Sequence, residues 1–171
     1  MGWFTELFKA LVSIFPHLSL ITIREGGVRF GPGKRVEEMK PGLHFWWPLI
    51  QDLQVIPIAR TSANLRTQTI LTVDDVPIIV GAMAIYEIAD VMKALANTFD
   101  YEDTVEDVLM TVVTEVVAPW NYKIEKTDLT VFNKKLTKTC RTKLRKYGIR
   151  VLECSLTDLA PCRVIRNVQS D

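Results

Sequence analysis

Side chains able to catalyse a reaction are few and scattered in this sequence. The two histidines, His17 and His44, lie in different contexts, and neither an H-E-x-x-H nor a G-x-S-x-G motif is present. Asp74 and Asp75 are adjacent, so their carboxylates would point to opposite faces of an extended strand. A turn between two strands suits this pair better. We therefore expect no catalytic centre, and the sequence predicts that the protein is not an enzyme.

Residues that could hold a ligand are also dispersed. Cys140, Cys154 and Cys162 form no C-x-x-C pair, which argues against a zinc site and predicts reduced thiols that are buried or half-buried. The glycine-rich segment GGVRFGPGK (residues 26–34) resembles a phosphate-binding loop. That motif, however, needs glycine at position 28, which is Val28, and a hydroxyl side chain at position 35, which is Arg35. Neither a metal nor a cofactor is expected.

Charge is balanced over the chain but segregated locally. With 21 basic and 20 acidic residues among 171, the net charge of +1 creates no overall field that would attract nucleic acid. Residues 100–107 nevertheless carry only acidic charges, and residues 134–146 only basic ones. We hypothesise that the acidic segment of one subunit faces the basic helix of the next in a homo-oligomer, with charge complementarity setting the register. The candidate interface residues are Asp103, Glu106, Asp107, Lys134, Lys138, Arg141 and Arg145.

Two alternatives stay open for these charged segments. They could be solvated faces of unrelated helices, or the basic segment could touch anionic lipid at about 1 kcal/mol per basic residue near the surface. A nucleic-acid partner is not expected, because few aromatic side chains accompany the basic segment.

Residues 1–17 are strongly apolar with helical spacing. Pro16 lacks the amide hydrogen of a helix interior, so the helix should end there after about 13 residues, or roughly 20 Å. This length does not cross a hydrocarbon core of about 30 Å, and we predict an in-plane or re-entrant membrane anchor rather than a cleaved signal peptide. A helix docked on the domain core and a tilted span over residues 3–23 are the alternatives. The predicted membrane-contacting residues are Trp3, Phe4, Leu7, Phe8, Leu11, Ile14 and Phe15.

The segment KPGLHFWWP (residues 40–48) places three aromatic residues in a row between two prolines. The prolines favour a rigid loop or a short strand over a helix. On an extended chain, Leu43 and Phe45 are expected to point to the core, while His44 and Trp46 point away from it.

Trp46 and Trp47 form the second predicted membrane contact. Tryptophan is favoured at the bilayer interface, where its apolar ring carries a hydrogen-bonding edge. The alternative is that Trp47 fills the core and Trp46 covers it.

The remaining pattern predicts a β-rich half followed by a helical half. Predicted strands lie at 18–23 and 28–31, forming a hairpin across a turn at 25–27, and at 52–58, 66–73 and 76–88. Predicted helices lie at 89–99, 103–118 and 130–147, where Gly148 supplies a stop before a final strand at 149–159. Strands, then helices, then a closing strand indicate an α+β fold.

An ordered set of motifs over residues 18–161 resembles the SPFH or band 7 domain of stomatin, prohibitin, flotillin and bacterial HflK/HflC proteins. The matching features, in order, are Glu25, Gly27, Val28, Phe30, Gly33, Lys34, PGLHF at 41–45, Pro48, LTVDDVPIIV at 71–80, Tyr86, Asp90, Gly148, Ile149, Val151 and SLTDLAP at 155–161. The resemblance implies a β-rich part (18–88) and a helical part with a final strand (89–161), preceded by the anchor at 1–17. Residues 162–171 are then a short C-terminal segment without the coiled coil that usually follows this domain.

The resemblance also implies a function. It predicts a monotopic or peripheral membrane scaffold on the cytoplasmic side, which oligomerises at a bilayer, sometimes as a ring, and organises a membrane microdomain. The client it implies is a membrane protease or channel. The alternative is a soluble adaptor whose apolar helix and tryptophan-rich loop bind a partner protein.

Overall fold

The computed structural model describes residues 2–3, 6, 15–33, 35–123 and 128–162. Within these ranges the strands are β1 (His17–Ile21), β2 (Glu25–Gly31), β3 (Arg35–Met39), β4 (Gly42–Trp46), β5 (Asp52–Pro57), β6 (Thr61–Leu71), β7 (Pro77–Ile88) and β8 (Ile149–Pro161). Between β7 and β8 lie α1 (Val91–Asn97), α2 (Tyr101–Val117), α3 (Leu129–Leu144) and a 3₁₀ turn (Arg145–Tyr147). This order confirms the predicted α+β class and the closing strand.

Helices α1, α2 and α3 each begin at an aspartate. The carboxylates of Asp90, Asp100 and Asp128 accept hydrogen bonds from backbone amides of the first turn, which would otherwise have no partner. At the other end of this region Gly148 has a left-handed φ of 74°, and a Cβ there would lie 2.4 Å from the carbonyl oxygen of Asp90. Glycine is therefore required where the last helical turn passes into β8, as the sequence indicated.

The largest sheet is antiparallel, with β7 between β6 and β8. Helix α2 lies against β6 and β7, and helix α3 lies along β8. Their apolar stripes are fully buried against the sheet, and they include Val105, Leu109, Val112, Leu136, Cys140 and Leu144. The predicted stripe of α2 is therefore core, and alternate residues of β7 supply the opposite side of that core.

Strands β6 and β7 thus share a sheet with β8, while β1 to β5 form two smaller sheets, β1–β4 and β3–β2–β5. Strand β8 pairs with β7 although the two lie on either side of residue 88, where the sequence placed the boundary between a β-rich part and a helical part with a final strand. That boundary was placed where the sequence periodicity changes from strand-like to helical. Strand pairing depends instead on β8 coming back to lie beside β7 in space.

The predicted hairpin between residues 18–23 and 28–31 is wrong. Strand β1 pairs with β4, and β2 pairs with β3 and β5. The turn falls at residues 22–25, where the amide of Glu25 donates to the carbonyl of Thr22. Gly26 and Gly27 lie inside β2 and not in the turn. Glycine is needed at both positions, because a Cβ would lie 2.4 Å from Val91 and 2.7 Å from Ile21, respectively.

The turn between β6 and β7 contains the two adjacent aspartates, as predicted. Asp75 has a left-handed φ of 58°, which aspartate tolerates better than most residues. Asp74 accepts a 2.6 Å hydrogen bond from the hydroxyl of Thr72 and further bonds from the amides of Tyr122 and Lys123, at 3.2 and 3.0 Å. The turn therefore holds the segment that follows α2.

Candidate membrane-contact and assembly surfaces

One face of the β1–β4 sheet is apolar and exposed. Leu18 pairs with Phe45, and Leu20 pairs with Leu43, so all four side chains lie on the same face. Each is between 56 and 67% exposed. The expected orientation of β4 is therefore wrong, because Leu43 and Phe45 point to solvent and not to the core. The alternation of side chains along β4 assigned each residue to the correct one of two faces. Which of these faces is covered depends on the elements that pack beside the strand.

The opposite face of this sheet holds the polar and half-buried side chains. The indole nitrogen of Trp46 donates a 2.8 Å hydrogen bond to the hydroxyl of Ser19, and the Trp46 ring lies 5.8 Å from the ring of His17. On the same face Ile21 is buried in the core. The structure thus places the two tryptophans differently: Trp46 is half-buried, whereas Trp47 is exposed.

Further exposed apolar side chains follow β4 in the sequence. The next segment adds exposed Trp47, Leu49 and Ile50 before β5 begins. We call the side chains of Leu18, Leu20, Leu43, Phe45, Trp47, Leu49 and Ile50 the apolar face. Exposed apolar side chains that are grouped on one sheet face, unlike single scattered ones, are typical of a contact with a membrane or another protein.

Two of the predicted N-terminal membrane contacts belong to the part of the chain that the structure describes. Trp3 and Phe15 are exposed, and Phe15 comes two residues before β1. The other predicted contacts of this helix, Phe4, Leu7, Phe8, Leu11 and Ile14, lie outside the described residues. Among the described residues, no helix has the length and apolar composition needed to cross a bilayer.

The predicted acidic residues share an exposed face of α2. Asp103, Glu106 and Asp107 lie at helical spacing and all three are exposed. The pKa of Tyr86 is raised, first by burial and then by the negative charges of Glu102, Glu106 and Asp100. The second cause shows that this end of α2 is electronegative. An uncompensated acidic surface of this kind suits a basic partner.

The predicted basic residues form one exposed row on α3. Lys134, Lys138, Arg141 and Arg145 follow each other at intervals of four, three and four residues, which keeps them on one side of the helix. Among the described residues, the ion pair that joins α2 to α3 links Lys143 to Glu115, and none of the seven predicted interface residues belongs to it. The acidic and basic surfaces are therefore not paired with each other through these residues within the subunit.

Arg141 has a contact inside the subunit that the sequence did not reveal. Its Nε and Nη2 atoms donate 3.0 Å hydrogen bonds to the carbonyls of Val151 and Leu152 on the outer edge of β8. Further along α3, Thr137 bonds both backbone groups of Cys154, and the Asn133 side chain accepts from the amide of Leu156. The i, i+4, i+8 spacing of these three α3 residues was the available signal, but it was masked by the basic residues around them.

These contacts cover the backbone edge of β8. An uncovered edge strand exposes a row of amides and carbonyls that can pair with another chain. Helix α3 satisfies several of those groups with Asn133, Thr137 and Arg141, so that part of β8 is protected from strand addition. Arg141 consequently has a structural role whether or not it also contacts another subunit.

The cysteines are free, as predicted, with Cys140 and Cys154 buried and Cys162 half-buried. Hydrogen bonding with Cys140 and burial raise the pKa of the Cys154 thiol. Among the described residues, no group of three or more His, Cys, Asp or Glu side chains is arranged to bind a metal ion.

Two small sheets followed by a three-stranded sheet with helices on one face define an α+β domain of the kind that the motifs indicated. The sequence profile described as "SPFH domain / Band 7 family" matches residues 20–171, which is most of the chain. The chain therefore belongs to the SPFH domain / Band 7 family.

Relatives of this chain occur in several archaea. An uncharacterised protein of Archaeoglobus fulgidus is 21% identical over 168 residues, covering 98% of this chain and 68% of that protein. An uncharacterised protein of Methanocaldococcus jannaschii is 22% identical over 173 residues, covering 99% of this chain and 86% of that protein. A stomatin homolog of Pyrococcus horikoshii is 20% identical over 153 residues, covering 90% of this chain and 58% of that homolog.

Proposed function

We propose that this protein is a membrane-associated scaffold that contacts the bilayer through the apolar face and the N-terminal helix. The apolar face supports this proposal most directly, because it exposes leucine and aromatic side chains that the fold leaves uncovered. Transfer of one such side chain out of water contributes about 1.5–3 kcal/mol when burial is complete. Several such side chains together can hold a domain at a membrane surface without a spanning helix, because the affinity scales with the buried apolar area.

The remaining parts of the proposed function follow from family membership and the charged surfaces. The domain lies on the cytoplasmic side, oligomerises at the bilayer, and organises a membrane microdomain or restrains a membrane protease or channel. The stomatin relatives and the opposite charges of α2 and α3 support this part. No catalytic step is assigned to the chain.

Flotation with phosphatidylcholine vesicles tests the membrane contact without electrostatic attraction. We expect the intact chain to float, and the double variant Leu43→Ser with Phe45→Ser to float less, with at least a tenfold weaker partition because two apolar contacts are lost. Removing residues 1–16 from that variant should abolish flotation.

The matched control is Leu129→Ser with Val131→Ser, which removes two exposed apolar side chains that belong to α3 and not to the apolar face. This control should float like the intact chain. If the intact chain does not float, the membrane proposal fails. Binding of the intact chain to a protein partner that is lost in the Leu43 and Phe45 variant would then favour the adaptor alternative.

A further inference from the structure

A cavity with basic walls opens where α3 ends beside the starts of α1 and β8. Its volume is about 480 Å³, within the range of small-molecule sites. We call it the arginine cavity. Its charged lining residues are four cations and one carboxylate: Lys93, Arg141, Arg145, Arg150 and Asp90. This surplus of positive charge contrasts with the near-neutral chain as a whole.

Two of the four cations already have a carboxylate partner. The Lys93 ammonium lies 2.8 Å from Asp90, and the Arg150 guanidinium lies 3.0 Å from Glu87. Hydrogen bonds from Lys93 lower the pKa of Asp90, so that carboxylate is charged at neutral pH and is balanced by its partner. These pairs contribute little net charge to the cavity.

The other two cations have no anionic partner among the described residues. Arg141 donates only to backbone carbonyls, and Arg145 belongs to no ion pair there. The C-terminus of α3 reduces the local positive potential by roughly half a charge, which is small beside two full guanidinium charges. An anion in the cavity would therefore meet a net positive site.

We propose that the arginine cavity binds the phosphate group of an anionic ligand. Arginine presents a planar fork of donors that matches phosphate oxygens, and a phosphate monoester carries enough charge to balance both Arg141 and Arg145. The bonds from Arg141 to β8 fix one guanidinium in place, which lowers the entropic cost of binding. The phosphate belongs either to a lipid headgroup or to a soluble molecule, and the chemistry of the cavity is the same for both.

Titration with inorganic phosphate at constant ionic strength, followed by amide chemical shifts, tests the cavity in the absence of lipid. We expect saturable shifts at Gly148, Ile149 and Arg150, which line the site. Arg145→Gln should weaken binding about tenfold, since one charge-assisted contact is lost. Arg145→Lys keeps the charge without the fork and should give an intermediate affinity.

Lys146→Gln is the matched control. It makes the same charge change at the next residue, but Lys146 does not line the cavity and its ammonium lies 4.7 Å over the ring of Tyr147. The control should bind phosphate like the unmodified chain, and well-dispersed spectra of all variants will establish that they are folded. Shifts that do not saturate, or equal weakening by Arg145→Gln and Lys146→Gln, would overturn the proposal.

Vesicles distinguish the two sources of phosphate. Stronger flotation with phosphatidic acid than with phosphatidylcholine, lost in Arg145→Gln but not in Lys146→Gln, assigns the site to a lipid headgroup. Equal flotation of both variants, combined with an Arg145-dependent response to inorganic phosphate, assigns it to a soluble ligand. This inference is separable from the proposed membrane contact, because the titration contains no lipid and the phosphatidylcholine assay does not depend on Arg145.

Discussion

At the scale of single residues, Asp74 connects a tight turn to a distant part of the chain. Its carboxylate accepts hydrogen bonds from Thr72, Tyr122 and Lys123, while the Lys123 ammonium donates to the Asp74 carbonyl at 3.2 Å. The Thr72 hydroxyl first, and then the two backbone amides, hold the pKa of Asp74 below its ordinary value of 3.8. Hydrogen bonds to the ionised form cause this shift.

Asp74→Asn should therefore lower the stability of the protein at neutral pH. The folded pKa is lower than the unfolded one, so the carboxylate stabilises the fold above its ordinary pKa of 3.8 and loses this effect as the pH falls through the folded value. Urea unfolding midpoints should differ between Asp74→Asn and the unmodified chain at pH 7 and converge in acid.

Asp75→Asn is the control for this prediction. It makes the same chemical change at the neighbouring residue, and asparagine also tolerates the left-handed φ of 58°. Its midpoint should stay close to that of the unmodified chain. Equal destabilisation by both variants would show that the hydrogen bonds of Asp74 contribute nothing specific.

At the scale of elements, helix α3 both fills the core and covers the edge of β8. Leu136, Cys140 and Leu144 are fully buried, while Asn133 and Thr137 hydrogen-bond the strand. One row of side chains on α3 therefore packs in the core, and the adjacent row hydrogen-bonds the edge of β8. The outer row, with Lys134 and Lys138, is left for solvent or a partner.

Thr137→Val should destabilise the domain by about 1–3 kcal/mol, because it preserves side-chain shape but leaves the amide and carbonyl of Cys154 without their hydroxyl partner. Thr142→Val is the control, since Thr142 is exposed and its hydroxyl donates within the helix, to the carbonyl of Lys138. Denaturant unfolding measures both variants. A similar loss for the two would indicate a general helix effect and not an uncovered strand edge.

At the scale of the whole molecule, the proposed assembly places the acidic face of α2 against the basic row of α3 on a second copy. Arg141 is a poor probe of this contact, because its bonds to β8 would also be lost on substitution. Lys138 is exposed and makes no ion pair with a described residue, so it reports more directly on an interface.

Sedimentation should show a mass that falls as salt is raised from about 0.1 to 1 M, where the Debye length shortens from about 10 to 3 Å. Lys138→Glu should also lower the mass, and mixing with Glu106→Lys should restore part of it. Lys135→Glu is the control, because Lys135 lines a cavity together with Trp120 and is not one of the predicted interface residues. An oligomer unaffected by salt and by Lys138→Glu would refute the charge-paired interface.

The sequence by itself determined the three helices, the glycine stop at Gly148, the closing strand and the family. These features follow from consecutive residues, since helical and strand periodicities and caps are local. The exposure of Asp103 and Lys138 was also predictable, because a charged stripe opposite an apolar one faces outward.

The tertiary structure alone decided which strand β1 pairs with, which face of β4 is covered, and where Arg141 points. Leu43 and Phe45 alternate with His44 and Trp46 in either orientation, and only the neighbouring elements determine which pair is exposed. The arginine cavity likewise joins Lys93 to Arg145, residues far apart in the chain. Such contacts depend on how the chain returns in space, which local patterns do not encode.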